Sequence, residues 1–426
     1  MTHSSLLIEE FSNNTHNQIL TDIYIDSACI NYQNERYIKA IKKYEQLFGS
    51  GDVEIYSAPG RSEIGGNHTD HQHGEVLAAS INQDVIAIAG KTDKPCVEIV
   101  SGKNNKITIP LDSLEKSENE EGKTISLIKG VLSGIKERNY TLHGFQAYIT
   151  SDVLIGAGLS SSAAFETIIG TVISGLYNDM NIDPVEIAII GQYAENVYFG
   201  KPCGLMDQMA CSVGNLVHMN FASPHTPIVN RVDFDMEEQG YSLCIVNTKG
   251  SHSDLTADYA AIPMEMKAVA ACFGKEVLNE VGLEDILSNI NLIRKRVNDR
   301  AVLRAIHFFE ENTRVTKEVQ ALTSNNISEF LNIFKASGDS SFKYLQNIYT
   351  NNDAEHQNVS IALAASDCFL GNNGVSRVHG GGFAGTIQAF VKNEFVSTYK
   401  MKIEEIFGTN SCNVLKIRKY GGIKVL

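Results

Sequence analysis

The 426-residue sequence lacks the features that mark export, membrane insertion and nucleic acid binding. Met1 to Glu10 has no basic segment followed by an apolar one, and no apolar run approaches the ~20 residues that cross a bilayer. Basic residues are outnumbered, with 36 Lys and Arg against 50 Asp and Glu, so the formal net charge is −14. Such a surface would repel nucleic acids and anionic membranes, and neither is expected as a partner.

Two familiar motifs are also missing. The eight cysteines lie between Cys29 and Cys412 without a C-x-x-C pair, which is typical of free thiols in a reducing compartment, so a cytoplasmic location is expected. No G-x-x-x-x-G-K-[ST] sequence occurs, and a P-loop nucleotide site is therefore not expected. The chain has 43% hydrophobic and 20% charged residues, which indicates a folded protein long enough for two domains.

Hydrophobic periodicity predicts a mixed α+β architecture. Helical spacing covers Glu35 to Phe48, and Asp183 followed by Pro184 starts a helix that runs to about Phe199. Further helices are predicted over 254–273, 292–312, 327–337 and 355–369. Strands are predicted at 53–58, 76–81, 85–89, 107–110, 145–149, 216–221, 241–246, 386–391 and 412–417. The stretch 59–74 is predicted as a loop, 115–123 and 312–326 are predicted as surface loops or loop-helix junctions, and residues 1–34 are weakly patterned.

The most informative segment is a glycine-rich turn that leads into three serines and then an apolar helix. It consists of Gly156-Ala157-Gly158-Leu159-Ser160-Ser161-Ser162-Ala163-Ala164. Glycines let backbone N–H groups converge, serines add hydroxyl donors, and the start of a helix favours negative charge. Phosphate fits such a cradle, although a glycine turn followed by a serine cap has the same pattern in isolation.

A dense polar loop between two predicted strands is the second candidate site. Arg61 suits a phosphate or a developing alkoxide, and His68 and Asp70 suit hydrogen bonds to sugar hydroxyls. The potential metal ligands of this loop are His68, Asp70, His71 and His73. A metal-dependent hydrolase and a plain solvated hairpin loop therefore remain alternatives.

Two acids and a second glycine loop complete the candidate residues. Phosphoryl transfer needs groups that hold Mg²⁺, that cradle phosphates, and that orient or deprotonate the acceptor hydroxyl. Glu195, the serine-bearing turn and Asp207 could supply these functions, although each acid alone could be a helix cap or a solvated helix residue. The turn Gly380-Gly381-Gly382 could let backbone approach a ligand closely.

In this order, the segments resemble the motifs of the galactokinase family within the GHMP kinase superfamily. The matching motifs are Ala58 to Asp70, Gly156 to Ala164, Gly204 to Gln208 and Ser376 to Gly385. The resemblance implies a two-domain α+β GHMP kinase fold with the active site in the interdomain cleft. It implies an N-terminal extension over 1–34, an N-terminal kinase domain over 35–224 and a C-terminal kinase domain over 225–426.

The resemblance also implies an ATP- and Mg²⁺-dependent sugar 1-kinase that converts D-galactose to galactose 1-phosphate. Asp207 matches the catalytic aspartate that faces the C1 hydroxyl, and Arg61 matches the arginine that stabilises the alkoxide. The implied sugar contacts are Asn67, His68, Asp70, the Gly204 backbone and Tyr259. The implied contacts to ATP phosphates are Gly156, Gly158, Leu159, Ser160, Ser161 and Ser162. The implied Mg²⁺ ligands are Ser161 and Glu195, while ATP and the sugar are the expected partners.

The chain departs from the family at four motif positions. Galactokinases carry Asn, Glu, Tyr and Pro where this chain has Glu63, Asn67, His71 and Leu154. The family glutamate at position 67 contacts the sugar near O6, so an amide there would tolerate a C6 carboxylate and makes galacturonate an alternative substrate. A sugar sensor without turnover is another alternative, against which the intact serine run and Asp207 count.

Overall fold

The computed structural model of the chain describes residues 1–154, 158–223, 226–250 and 255–426. Its strands are β1 (Thr2–His3), β2 (Asp52–Gly65), β3 (Glu75–Lys91), β4 (Cys96–Ser101), β5 (Ile107–Pro110), β6 (Phe145–Ser151), β7 (Leu216–Asn220), β8 (Ile228–Val232), β9 (Tyr241–Asn247), β10 (Gly374–His379), β11 (Thr386–Lys392), β12 (Cys412–Leu415) and β13 (Ile423–Lys424). Its helices are α1 (Ser4–Ser12), α2 (Asn17–Tyr24), α3 (Ile30–Phe48), α4 (Thr124–Glu137), α5 (Ser161–Asn178), α6 (Pro184–Tyr193), α7 (Met206–Val213), α8 (Thr256–Ala271), α9 (Leu283–Ser288), α10 (Ile290–Arg296), α11 (Asp299–Thr323), α12 (Ile327–Ser340), α13 (Asn358–Leu370) and α14 (Val396–Phe407). Two wider π-helical turns, Ala194–Phe199 and Ser341–Leu345, extend α6 and α12.

The described strands form two sheets. The larger has nine strands and runs β1-β2-β3-β6-β4-β5, with β13 paired to β2, and with β7 paired to both β3 and β8. The smaller sheet is antiparallel in the order β10-β11-β9-β12. Because β13 pairs with β2, the end of the chain returns to the sheet on which the chain begins.

The larger sheet is covered by helices on both faces. Alternate residues of β2 and β3 point to opposite faces, so Tyr56 and Ala87 pack with α4, α5 and α6 in one core, while Ile55 and Ile88 pack with α1, α2 and α3 in another. Residues 1–34, expected as an extension, thus supply most of a helical layer. Each fully buried apolar side chain in it, such as Phe11, contributes about 1.5–3 kcal/mol to folding.

A buried carboxylate ties this helical layer to the end of the chain. Asp84 is fully buried, and its Oδ1 lies 2.6 Å from Nη1 of Arg36 in α3. Its Oδ2 lies 3.2 Å from Nη1 of Arg418 and accepts a hydrogen bond from the Tyr24 hydroxyl at 2.9 Å. Three segments that are distant in sequence therefore converge on one charge.

Two predicted loops are wrong in part. β2 continues to Gly65, well into the predicted loop 59–74, with register shifts between Pro59 and Arg61 and between Glu63 and Gly65. The strand persists there because almost every residue of it is buried, although its polar sequence resembles a loop. The stretch 312–326, predicted as a surface loop or loop-helix junction, is mostly the second half of α11, which ends at Thr323, and the segment 75–91 is one strand rather than two.

Candidate active site

The bulged end of β2 is joined to the serine-bearing turn. The Arg61 amide N–H donates to the Leu159 carbonyl oxygen at 3.1 Å. A β-carbon at Gly60 would lie 2.9 Å from that same oxygen, so only glycine permits this approach. Bulges that bend a strand are common beside functional sites, and this one directs Arg61 toward the turn.

Arg61, Asp207 and Ser160 form one hydrogen-bonded group. Arg61 Nε donates to Asp207 Oδ1 at 2.8 Å, and its Nη1 donates to the Gly158 carbonyl oxygen. The Ser160 hydroxyl donates to the other Asp207 oxygen, Oδ2. The structure therefore brings together residues from β2, the serine-bearing turn and the first turn of α7, as the sequence predicted.

The electrostatics of this group keep Asp207 ionised. Burial acts to raise the pKa of Asp207, but the Arg61 guanidinium and the Ser160 hydroxyl outweigh it and hold that pKa below its usual range. An ionised carboxylate beside a guanidinium can accept a hydrogen bond from an alcohol, and the guanidinium can stabilise the oxyanion that develops.

The predicted phosphate contacts lie at the start of α5. Ser160 is the residue that precedes this helix and adopts a left-handed conformation, with φ of 54°, while Ser161 and Ser162 form its first turn. The unpaired N–H groups at the start of an 18-residue helix attract anions. Leu159 is buried and contributes only backbone, and Gly156 lies outside the described residues.

Glu195, predicted as a metal ligand, lies in a second polar cluster. Its Oε1 is 2.7 Å from Lys201 Nζ, and its Oε2 accepts a hydrogen bond from Gln208 Nε2 at 2.8 Å. Gln208 follows Asp207 in α7 and also donates to Glu166 at 3.0 Å. Within the described residues, no hydrogen bond connects Ser161 directly with Glu195, the two predicted metal ligands.

The second glycine turn is held by the predicted sugar-binding residues. Asn67 Nδ2 donates to the Gly380 carbonyl oxygen at 2.8 Å, and His68 Nε2 lies 3.1 Å from the Gly381 oxygen. The Tyr259 hydroxyl donates to the Gly382 oxygen at 2.7 Å. Elements from both halves of the chain thus meet at this turn.

Asn67 is committed to an internal network. It is 1% exposed, and its Nδ2 also donates to Glu63 Oε1 at 2.9 Å. Its Oδ1 accepts from Asn347 Nδ2 at 2.9 Å and from the Ser341 hydroxyl at 3.3 Å. Since an amide has two donor and two acceptor positions, the side chain is saturated by the protein.

Glu63 carries the acid that the family places at position 67. Its Oε1 lies 2.9 Å from Nη2 of the fully buried Arg377. Burial raises the pKa of Glu63 to about 7, against the opposing effect of Arg377. The carboxyl and the amide, which stand in the reverse of the order that the resemblance implied, are in contact with one another.

Asp70 faces a hollow of about 460 Å³ that is also lined by Gly204. A β-carbon at Gly204 would lie 2.6 Å from Asp70 Oδ2, so the two predicted sugar contacts pack against each other and require glycine. Among the described residues no side-chain hydrogen bond is made to the Asp70 carboxylate, which leaves its oxygens free to accept from a ligand.

The histidines of the loop do not form a metal centre. The rings of His68 and His71 lie 5.6 Å apart, and within the described ranges no three His, Cys, Asp or Glu side chains are placed to hold a metal ion. Burial, with a contribution from His71, lowers the pKa of His68 to about 3, so its imidazole is neutral at physiological pH. The hydrolase alternative has no support in this geometry.

Four residues of the site carried no assignment from sequence. Gln208 and Lys201 contact Glu195, and Asn347 supports Asn67. His379 lies beneath the serine-bearing turn, 3.3 Å from where a β-carbon of Gly158 would stand. Gln208 and His379 had a signal, because both lie inside motifs named above, whereas the contacts of Lys201 and Asn347 depend on the tertiary fold.

Comparison with known proteins agrees with this geometry. Residues 126–215 match the model of the GHMP kinases N terminal domain, and residues 42–91 match the galactokinase galactose-binding signature. A galactokinase of Glaesserella parasuis serovar 5 (strain SH0165) is 30% identical over 364 residues, which cover 85% of this chain and 91% of that protein. The chain belongs to the galactokinase family.

A second galactokinase and two solved structures extend the match. A galactokinase of Limosilactobacillus fermentum is 27% identical and covers 86% of this chain and 92% of its own length. The structure of Lactococcus lactis galactokinase complexed with galactose has a TM-score of 0.74 at 24% identity, covering 90% of this chain and 98% of that one. Methanococcus jannaschii mevalonate kinase follows with a TM-score of 0.61 and 16% identity, covering 86% and 99% of the two chains.

These matches confirm the predicted family, the α+β GHMP kinase fold and the expected class of sugar-kinase phosphotransferase. No helix in the described part of the chain is long and apolar enough to cross a membrane.

Proposed function

We propose that this protein is an ATP-dependent galactokinase that transfers the γ-phosphoryl group to the C1 hydroxyl of D-galactose. The hydrogen-bonded group of Arg61, Asp207 and Ser160 is the observation that carries the proposal. It combines an ionised acid, a cation and the start of a phosphate-binding helix at one point. Family membership supplies the sugar, because the related galactokinases match over most of this chain.

Each member of that group has a role in the transfer. Asp207 accepts a hydrogen bond from the C1 hydroxyl and orients its oxygen toward the terminal phosphate. Arg61 stabilises the charge that develops on that oxygen, since its Nε already lies against Asp207. Gly158, Ser161 and the first N–H groups of α5 hold the phosphates.

The donor types of Glu195 and Ser161 support a Mg²⁺ site. Glu195 offers a buried carboxylate and Ser161 a hydroxyl, both hard oxygen donors, and phosphate oxygens would complete the coordination. A divalent ion of this kind neutralises phosphate charge during phosphoryl transfer. Glu195 already pairs with a cation, the Lys201 ammonium, and this contact supports a cation-binding role for its carboxylate.

D-galactose is favoured over a sugar with a C6 carboxylate. The galacturonate alternative required the Asn67 amide to face the sugar. The four hydrogen-bonding positions of that amide are filled within the protein, so none remains for a C6 carboxylate. Asp70 has free acceptor oxygens beside Gly204 and suits a neutral hydroxyl-rich ligand. We also infer a reducing, cytoplasmic location, supported by eight cysteines that are all unpaired.

A coupled assay of ADP release tests the proposal directly. The purified chain is offered galactose, galacturonate, N-acetylgalactosamine, arabinose and glucose with Mg²⁺ and ATP. We expect the highest kcat/KM with galactose. A preference for galacturonate would instead support the C6-carboxylate alternative. Binding of galactose without turnover of any sugar would indicate a sensor.

A further inference from the structure

Glu195 is buried and pairs with a lysine that is largely in solvent. The Glu195 side chain is 4% exposed, whereas that of Lys201 is 61% exposed. The two are joined by the 2.7 Å contact between Lys201 Nζ and Glu195 Oε1. The lysine backbone is fixed as well, since its N–H donates to the Glu195 carbonyl oxygen at 3.1 Å. The ammonium can therefore leave the carboxylate without any change in the fold.

Gln208 joins Glu195 to a second buried acid, Glu166. Burial raises the pKa of Glu166 well above its usual value, and the adjacent Glu195 charge adds to this effect. Gln208 lies between the two carboxyl groups and donates to both, so Glu195 Oε2 keeps its partner whatever happens at Oε1.

The charged side chains of this site are paired with one another. Asp207 pairs with Arg61, and Glu195 pairs with Lys201. Lys201 is also close enough to Asp207 for their charges to interact. A nucleoside triphosphate carries more negative charge than one divalent ion neutralises. When it is bound, the site therefore needs a further cation near the phosphates.

We propose that Lys201 is a displaceable counter-ion: it pairs with Glu195 Oε1 when no nucleotide is bound, yields that oxygen to Mg²⁺, and then pairs with a phosphate of the bound nucleotide. This proposal rests on the proposed function for the identity of the nucleotide and metal. It makes Lys201 a positioning residue for ATP, and it makes metal binding without nucleotide weak, because the ion must first displace an ammonium.

Lys201→Met tests the proposal by removing the competing charge from a side chain that is mostly exposed. In the nucleotide-free protein, Mn²⁺ affinity measured by electron paramagnetic resonance should rise about 10-fold, since one charge-assisted contact no longer competes. In the coupled assay, the KM for ATP should rise several-fold while the KM for galactose stays unchanged. Lys201→Arg should remain near the wild type in both measurements.

Lys106→Met is the matched control. Lys106 is 48% exposed and lies 2.6 Å from the buried Glu98, a pair of the same kind on the larger sheet. It should leave Mn²⁺ affinity and both KM values unchanged. An unaltered Mn²⁺ affinity in Lys201→Met, or an equal rise in both KM values, would overturn the proposal. If the wild type phosphorylates no sugar, the proposed function fails, but the Mn²⁺ titration still decides the role of Lys201.

Discussion

At the scale of single residues, the site depends on a carboxylate that stays charged while partly buried. Asp207 has a guanidinium on one oxygen and a hydroxyl on the other. Replacing Asp207 with Asn removes the charge and keeps the shape. The amide can still accept a hydrogen bond from Ser160, but it cannot stabilise the Arg61 guanidinium as a carboxylate does.

We expect Asp207→Asn to lower kcat by about 10²–10⁴-fold, the range for a positioned acid or base. Nucleotide affinity, measured by calorimetry, should change little because Asp207 is not among the predicted phosphate contacts. Circular dichroism serves as the control for folding. A variant that keeps more than a tenth of wild-type kcat would remove Asp207 from its assigned role.

The exchange of acid and amide at positions 63 and 67 predicts non-additive stability. Glu63→Asn leaves donors of Arg377 and Asn67 without their acceptor, and should cost about 1–3 kcal/mol. Asn67→Glu places a second carboxyl beside Glu63 and should cost a similar amount.

The double variant Glu63→Asn/Asn67→Glu restores one acid and one amide, in the order that the family uses. Its loss of unfolding free energy in urea should be at least about 1 kcal/mol smaller than the sum of the single losses. Additive losses would show that the two side chains do not act as a buried pair.

At the scale of elements, the serine-bearing turn and α7 are linked by the Ser160 hydroxyl. This contact is one of those that hold the pKa of Asp207 below its usual range. Ser160→Ala should therefore raise that pKa and move the acidic limb of the pH profile of kcat/KM to higher pH. Ser162→Ala, which removes a neighbouring hydroxyl, is the control. Identical acidic limbs in both variants would contradict the link.

From the sequence, the proximity of the candidate residues was easier to predict than the bounds of the helices and strands that hold them. Asp207, Arg61 and the serine-bearing turn were identified from motifs, and the structure brings them within hydrogen-bonding distance. Motifs of this kind can be recognised from sequence because glycine-rich turns and isolated polar residues depend on local chemistry. Contacts such as that of Lys201 with Glu195, or of Asn347 with Asn67, depend on how remote segments pack, and no local pattern signals them.

The predicted bounds of helices and strands are wrong where polar residues are buried. The second half of α11 was predicted as a loop or loop-helix junction because of its Asn, Thr, Lys and Glu content. In the structure, Glu318 is fully buried, and Val315 and Leu322 pack in the same core as Tyr56 and Ala87. β2 crosses a polar motif in the same way. Propensity rules assume that polar residues face solvent, and this assumption breaks down at an internal site.

At the scale of the whole molecule, Asp84 in the larger sheet connects the N-terminal helices α2 and α3 with Arg418 near the end of the chain. Asp84→Asn leaves Arg36 and Arg418 buried beside a neutral group and should cost about 3–5 kcal/mol in urea unfolding. Asp152→Asn is the control, because Asp152 also contacts Arg36, at 3.2 Å, but its side chain is 26% exposed. We expect it to cost less than about 1 kcal/mol.

The same carboxylate makes stability depend on pH in a defined direction. Burial acts to raise the pKa of Asp84, but Arg36 and Arg418 outweigh it and lower that pKa. The contribution is therefore complete above the unfolded pKa of about 3.9 and is lost as pH falls through the lower folded value. The stability difference between wild type and Asp84→Asn should shrink over that acidic range, and a difference that is constant with pH would contradict the account.

The central claim is that remote loops assemble one crevice where ATP meets the anomeric hydroxyl of a sugar. Identifying the product by ³¹P and ¹³C nuclear magnetic resonance, with D-galactose, ATP and Mg²⁺ as reactants, tests it most directly. The account predicts a single sugar phosphate whose phosphorus couples to C1, formed by the wild type and almost absent with Asp207→Asn. Phosphate on any other oxygen, or the same yield from both proteins, would contradict it.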